Sequence, residues 1–250
     1  MTNANAVITG IVRLGVVLLI ATTALAGRAE RAAADEPTDE PTLLTYLEVD
    51  QFEYRAGNGE DTFSWEAQGW IGGDYDKVWF KTRGDDVVNG AMERAEMQLL
   101  YSRAIAAFWD LQVGARYDVK PDPSRDYVVL GVQGLAPYFF EVDAAAFLSN
   151  KGDASARLEA EYELLITQRL IAKPSAELNF AVQDVEELGI GSGLSEAGLE
   201  LRLRYEIVRE IAPYIGISWE RKVGPTADIA RRAGADVDDL TFVTGVRFWF

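Results

Sequence analysis

Residues 109–118 read Trp109-Asp-Leu-Gln-Val-Gly-Ala-Arg-Tyr-Asp118. Apolar side chains occupy every second position, at Trp109, Leu111, Val113, Ala115 and Tyr117, with polar residues or glycine between them. Successive side chains of a strand point to opposite faces, so this spacing builds one apolar face and one polar face. Two later stretches repeat the pattern. Ala154, Ala156, Leu158, Ala160, Tyr162 and Leu164 alternate with Ser155, Arg157, Glu159, Glu161 and Glu163. Ala197, Leu199, Leu201, Leu203 and Tyr205 alternate with Gly198, Glu200, Arg202 and Arg204. Arg157 to Ile166 is also rich in helix formers. A helical period would scatter its glutamates around the surface, whereas a period of two places them all on one face.

Such strands recur from Leu43 to Phe250, and the alternation criterion predicts about twelve of them, including 75–83 and 175–183. A soluble periplasmic sandwich could carry the same rows with its polar face in water. Three features favour a membrane barrel. The alternation persists for about ten residues, the length a tilted strand needs to cross a bilayer. Aromatic residues sit near the row ends, at Trp65, Trp79, Tyr101, Trp109, Tyr117, Tyr138, Tyr162, Tyr205 and Trp219, as an interfacial girdle would require. The last strand puts Phe242, Thr244, Val246, Phe248 and the terminal Phe250 on one parity. The expected fold is all-β, an antiparallel transmembrane β-barrel with both termini periplasmic. Tight periplasmic turns are expected at Gly72-Gly73, Ala136-Pro137 and Glu210-Ile211. Longer outer loops are expected at Arg83 to Gly90, Val119 to Arg125, Asp184 to Leu194 and Val223 to Asp239.

The start of the chain has a different character. Arg13 precedes an apolar run from Leu14 to Leu25, followed by the small residues of Ala24-Leu25-Ala26. A spanning helix needs roughly 20 apolar residues, so the run reads as a signal peptide over 1–26 rather than a short membrane anchor, with cleavage after Ala26 or, alternatively, Ala34. Residues 27–42 are dominated by Ala, Asp, Glu, Pro and Thr and are expected to form a disordered leader, leaving 43–250 as one barrel domain. Removing the signal leaves 23 basic residues against 40 acidic ones, a net charge of −17. That argues against a nucleic-acid partner, which requires Lys and Arg to replace counterions. The chain has no cysteine, so neither a disulfide framework nor a thiolate metal site is available.

Several strings resemble the copper resistance protein B family. They include Leu100-Tyr-Ser-Arg103, the 109–118 stretch, Gly131-Val-Gln-Gly-Leu-Ala-Pro-Tyr138, Glu159-Ala-Glu-Tyr-Glu163 and Gly189-Ile-Gly-Ser-Gly-Leu-Ser195. Further on come Leu201-Arg-Leu-Arg-Tyr-Glu206, Ala212-Pro-Tyr214, Trp219-Glu-Arg-Lys222, Thr226-Ala-Asp-Ile-Ala-Arg231 and Val246-Arg-Phe-Trp-Phe250. The resemblance spans the barrel from about Tyr46 onward by alternation and motif together. It implies an outer-membrane protein of copper tolerance in a Gram-negative bacterium, with copper ions as its cargo and a periplasmic multicopper oxidase as its partner. Family members commonly carry a leader rich in Met and His; here 27–42 has neither.

Soft Cu(I) favours thioether or thiolate, and Cu(II) favours imidazole. The chain has no histidine, and its methionines are Met1, Met92 and Met97. Met1 leaves with the signal, Met97 shares the lipid-facing parity of Leu99 and Tyr101, and Met92 lies near an outer loop. Carboxylates remain, and the lumen candidates for holding a metal are Glu96, Asp143, Glu159, Glu161 and Glu200. Arg94, Arg116, Arg157, Arg202 and Arg204 share that inner face. It therefore supports two readings: a polar conduit or weak cation site, and a lumen of paired charges that only holds a small barrel together. A copper-handling barrel and a structural or general-diffusion barrel both fit. An enzyme is not expected, because a Ser–His or Asp–His constellation is impossible without histidine. Ser192 reads as part of a Gly-rich turn, with no helix following to make a phosphate cradle.

Overall fold

The alternating stretches form thirteen strand segments in the computed structural model, which describes residues 43–57 and 59–250. In chain order they are β1 (Leu44–Ala56), β2 (Thr62–Gly72), β3 (Asp76–Val87), β4 (Met92–Ala106), β5 (Trp109–Lys120), β6 (Arg125–Ala136) and β7 (Phe140–Ser149). Then follow β8 (Ala154–Glu161), β9 (Leu164–Leu165), β10 (Leu170–Ala181), β11 (Gly193–Tyr205), β12 (Ile211–Lys222) and β13 (Asp238–Trp249). Because β8 and β9 lie in line along β10, the wall has twelve strands. All pair antiparallel with their neighbours in the chain, and β1 pairs with β13 to close the barrel. At the seam the Phe250 N–H donates to the Leu47 carbonyl at 2.8 Å, and the Leu47 N–H donates back at 3.0 Å. The expected signal peptide and leader fall outside the described residues.

The period of two sorts the side chains as the sequence implies. Phe242 on β13 is 69% exposed on the outer face, while its neighbours Thr241 and Val243 are buried inside. Met97 points outward with Leu99 and Tyr101. Strand β1 carries a bulge after Val49, which shifts its register against both neighbours. The extra residue, Asp50, switches parity, so Glu48 before it, Asp50 itself, and Glu53 and Arg55 after it all serve the interior.

The structure departs from the sequence reading at several points. Strand β3 runs to Val87, so Arg83 lies within the wall and not in an outer loop. Gly84-Asp85-Asp86 resembles a turn, but the Trp65 ring lies where a Gly84 side chain would stand, with a Cβ there only 2.3 Å from the ring. Asp85 accepts hydrogen bonds from Ser64 at 2.6 Å and Arg94 at 2.8 Å. Strand β10 begins at Leu170, ahead of Pro174. The Tyr162 N–H donates to the Pro174 carbonyl at 3.1 Å. Proline has no N–H to return that bond, and the β8–β9 line breaks there. Trp79, expected in the girdle, is 8% exposed and packs inside with Leu100, Val129 and Phe147. Of the expected girdle, Tyr101, Tyr117, Tyr138 and Tyr205 are exposed.

The end that carries both Leu44 and Phe250 has the connections 73–75, 107–108, 137–139, 166–169 and 206–210. In barrels of this class that is the periplasmic end. At the other end 88–91, 121–124 and 150–153 are as short as periplasmic turns, and only 182–192 and 223–237 are long. The last contains helix α1 (Gly224–Ala233), which strand alternation does not reveal. Its signals are local. Pro225 lies in the first turn, Arg231 and Arg232 lie in the last, and Gly234 ends it with φ +74°. Replacing the outward Val113, half-way along β5, with Arg is expected to destabilise the barrel by about 2–4 kcal/mol if that face meets hydrocarbon. Urea unfolding in lipid vesicles measures this, and a neutral result would place Val113 in water.

Candidate functional site

The interior is a cavity of about 440 Å³ lined by charge on nearly every strand. Its layout follows from register. Across β7 and β8, Asp143 lies opposite Glu159, and Glu141 lies opposite Glu161. Across β8 and β10, Glu159 lies opposite Glu177. Like charges facing each other on neighbouring strands are destabilising, so this acidic wall requires cations from elsewhere. They come from β3. The Lys81 ammonium donates to Asp143 at 2.6 Å, and the Arg83 guanidinium meets Glu159 at 2.6 Å and Glu177 at 3.0 Å.

Further clusters line the rest of the lumen. Glu96, 2% exposed, is bound by both guanidinium nitrogens of Arg157 at 3.0 Å and by Arg116 at 2.9 Å. Bidentate guanidinium–carboxylate pairs are among the strongest hydrogen-bonded contacts, and Arg157 spans from β8 to reach this one on β4. Glu53 accepts from Arg202 twice at 3.0 Å, from Arg55 at 2.8 Å and from Tyr214 at 2.9 Å. Arg55 continues to Glu220 at 2.9 Å and Glu200 at 3.3 Å. Nearer the periplasmic end Lys173 joins Asp50 and Glu161, each at 2.9 Å.

The outer rim is held by its two long connections. Thr226 of α1 accepts from the Gly191 N–H at 2.9 Å, which ties the helix to the 182–192 loop. Within that loop the Ser192 N–H donates to Asp184 at 2.6 Å and holds its carboxyl below the ordinary carboxylate range. Ser192 is thus part of a turn, as its glycine-rich surroundings suggest.

A family model described as copper resistance protein B precursor matches residues 43–250, the whole barrel. The chain belongs to the copper resistance protein B family. It is 46% identical over 210 residues to copper resistance protein B of Escherichia coli, covering 84% of this chain and 71% of that one. It is 41% identical over 208 residues to the copper resistance protein B homolog of Pseudomonas syringae pv. tomato, covering 83% of this chain and 70% of that one. Among solved structures, the NanC porin superposes with a TM-score of 0.52 over 82% of this chain and 99% of its own, at 12% identity. That likeness concerns the fold. With the family, it places the barrel in the outer membrane.

For a copper resistance protein B the arrangement of the candidate ligands is informative. All five predicted carboxylates face the lumen, but each is engaged by a cation: Glu96 by Arg116 and Arg157, Asp143 by Lys81, Glu159 by Arg83, Glu161 by Lys173 and Glu200 by Arg55 and Arg202. Asp143 and Glu159 are neighbours, and Glu161 lies one level below them; Glu96 is joined to Glu159 through Arg83 and Arg157, and Glu200 belongs to a separate cluster. Among the described residues no three His, Cys, Asp or Glu side chains gather in a way that could hold a metal ion. Arg83, Lys81, Lys173, Asp50 and Glu177 also act here and were not singled out from sequence. Arg83 is the last residue of the expected strand 75–83 and the first of the expected outer loop, ahead of a Gly-Asp-Asp string, while Lys173 lies just outside the expected strand 175–183, ahead of a proline. Continuing the parity of Glu159 and Glu161 onto the next strand would have found Glu177.

Replacing Glu96 with Ala leaves Arg116 and Arg157 without their shared buried countercharge. The expected loss is about 3–5 kcal/mol of stability, the range for breaking a buried pair. Replacing the exposed Lys151 at an outer turn should change stability by no more than about 0.5 kcal/mol. Parallel urea titrations of the two folded barrels check both.

Proposed function

We propose that the barrel passes copper ions across the outer membrane as part of copper tolerance. The observation that carries this reading is an interior of hard carboxylates and cations in a member of a copper resistance family. Carboxylates are not the ligands copper prefers. A transient path benefits from that weakness, because an ion must be able to leave each site as readily as it enters. Retention by soft ligands would need thioether, thiolate or imidazole groups, which the barrel scarcely offers. The reading is non-enzymatic, in keeping with a lumen without a histidine base. It also puts a periplasmic multicopper oxidase downstream or upstream of the same ions, a partnership that rests on the family alone.

One observation favours a second reading, a structural or general-diffusion barrel without metal specificity: every candidate carboxylate is already paired. Flux into liposomes containing the purified barrel separates the two. The copper reading expects copper to enter faster than uncharged sugars of similar size. Equal permeation supports the second reading. In cells, deleting the gene should change growth and metal content under copper stress, and wild-type values for both would count against a copper role.

A further inference from the structure

Arg83 differs from the other charged residues of the lumen in where its partners stand. It is anchored on β3, and Glu66, directly opposite on β2, lies 3.0 Å from its guanidinium. Glu96 on β4 lies 3.7 Å from Nε. The same guanidinium reaches Glu159 on β8 at 2.6 Å and Glu177 on β10 at 3.0 Å. Counting around the twelve-strand wall, β10 is six strands from β3 in either direction. Arg83 therefore joins diametrically opposite walls, and one side chain links four carboxylates on four strands. No other ion pair described above spans so far. Arg157 to Glu96, Lys81 to Asp143 and Lys173 to Asp50 each cross four strands.

The cause lies in the register. Asp143, Glu159 and Glu177 stand side by side on β7, β8 and β10, and their mutual repulsion draws in any cation that can reach them. A rigid planar fork satisfies several acceptors at once, which a lysine ammonium does less well. We propose that Arg83 is the transverse bolt of the lumen, the residue that narrows the passage and cancels the charge of the acidic wall. The inference rests on the lumen being a passage, but not on copper being what passes. An incoming cation would compete for Glu159 and Glu177, and release of Arg83 would widen the path where the ion stands.

Planar-bilayer recordings in KCl test this on the whole barrel. Folding of each variant is read first from its heat-dependent migration in detergent gels. Arg83→Ala is expected to raise conductance several-fold and to shift the reversal potential in a KCl gradient toward cations, because Glu66, Glu159 and Glu177 lose their shared countercharge. Glu159→Gln with Glu177→Gln also frees the bolt, but it should shift the reversal potential the opposite way, toward anions. Arg232→Ala on the outer helix should leave both quantities at wild-type values. Wild-type conductance and selectivity in a folded Arg83→Ala barrel would overturn the bolt while leaving the passage intact. If Arg83→Ala does not fold, the double glutamine variant carries the test, and an unmoved reversal potential there overturns the proposal. If neither the wild type nor any folded variant conducts, the lumen is not a passage, and the reading of the barrel as a conduit fails with the bolt.

Discussion

Inside a bilayer there is no water to satisfy a backbone N–H or C=O, so a sheet can cross only if it has no edge. The hydrogen-bonded seam between β1 and β13 meets that demand, and the rest of the architecture follows from it. The seam brings the last residue of the chain, Phe250, against Leu47 near the start of β1. Both strand ends must then leave on one side, and every neighbour in the chain becomes a neighbour in the wall. The bulge in β1 sits in this first strand, where it reconciles two registers at once.

Closure also creates an interior to which every strand turns one face, and that face is polar or charged on nearly every strand. The acids exceed the bases along the inward parity, and the register sets several of them face to face on β7, β8 and β10. Desolvated charges persist only when paired and hydrogen-bonded. The pairing is therefore made across the lumen as well as along the wall, from Lys81 and Arg83 on one side and from Arg157 and Lys173 on the other. The apolar group of Trp79, Leu100, Val129 and Phe147 interrupts the polar lining along one arc. There, Lys81 and Arg116 lie over aromatic rings at 5.6 and 4.7 Å, within the range of a cation–π attraction. The same cross-bracing that stabilises the barrel also occupies the space an ion would use.

Much of this is legible in the order of the residues. A period of two is local, so the strands of 109–118 and 154–165 announce themselves within their own residues. The same parity places Glu96, Asp143, Glu159, Glu161 and Glu200 inside. Helix α1 escapes an alternation criterion because it has no period of two, although the Gly-Pro that opens it and the Gly after it are themselves helix signals. The limits of β3 and β10 are hidden for a different reason. Gly84 and Pro174 break strands in isolation, yet here each is accommodated by a neighbour across the wall: the ring of Trp65 on β2 over Gly84, and the N–H of Tyr162, in the break between β8 and β9, on the Pro174 carbonyl.

The sequence by itself determined that the chain is a barrel, the inner and outer faces of most strands, and which residue types fill the lumen. All of these depend on spacing between nearby residues. Only the tertiary structure decided which charges meet. The distance from Arg83 to Glu177 is set by six successive strand pairings, by the register of each and by the curvature of a closed wall. No local pattern carries that information, because a one-residue slip anywhere along the path would turn one of the two side chains to the lipid.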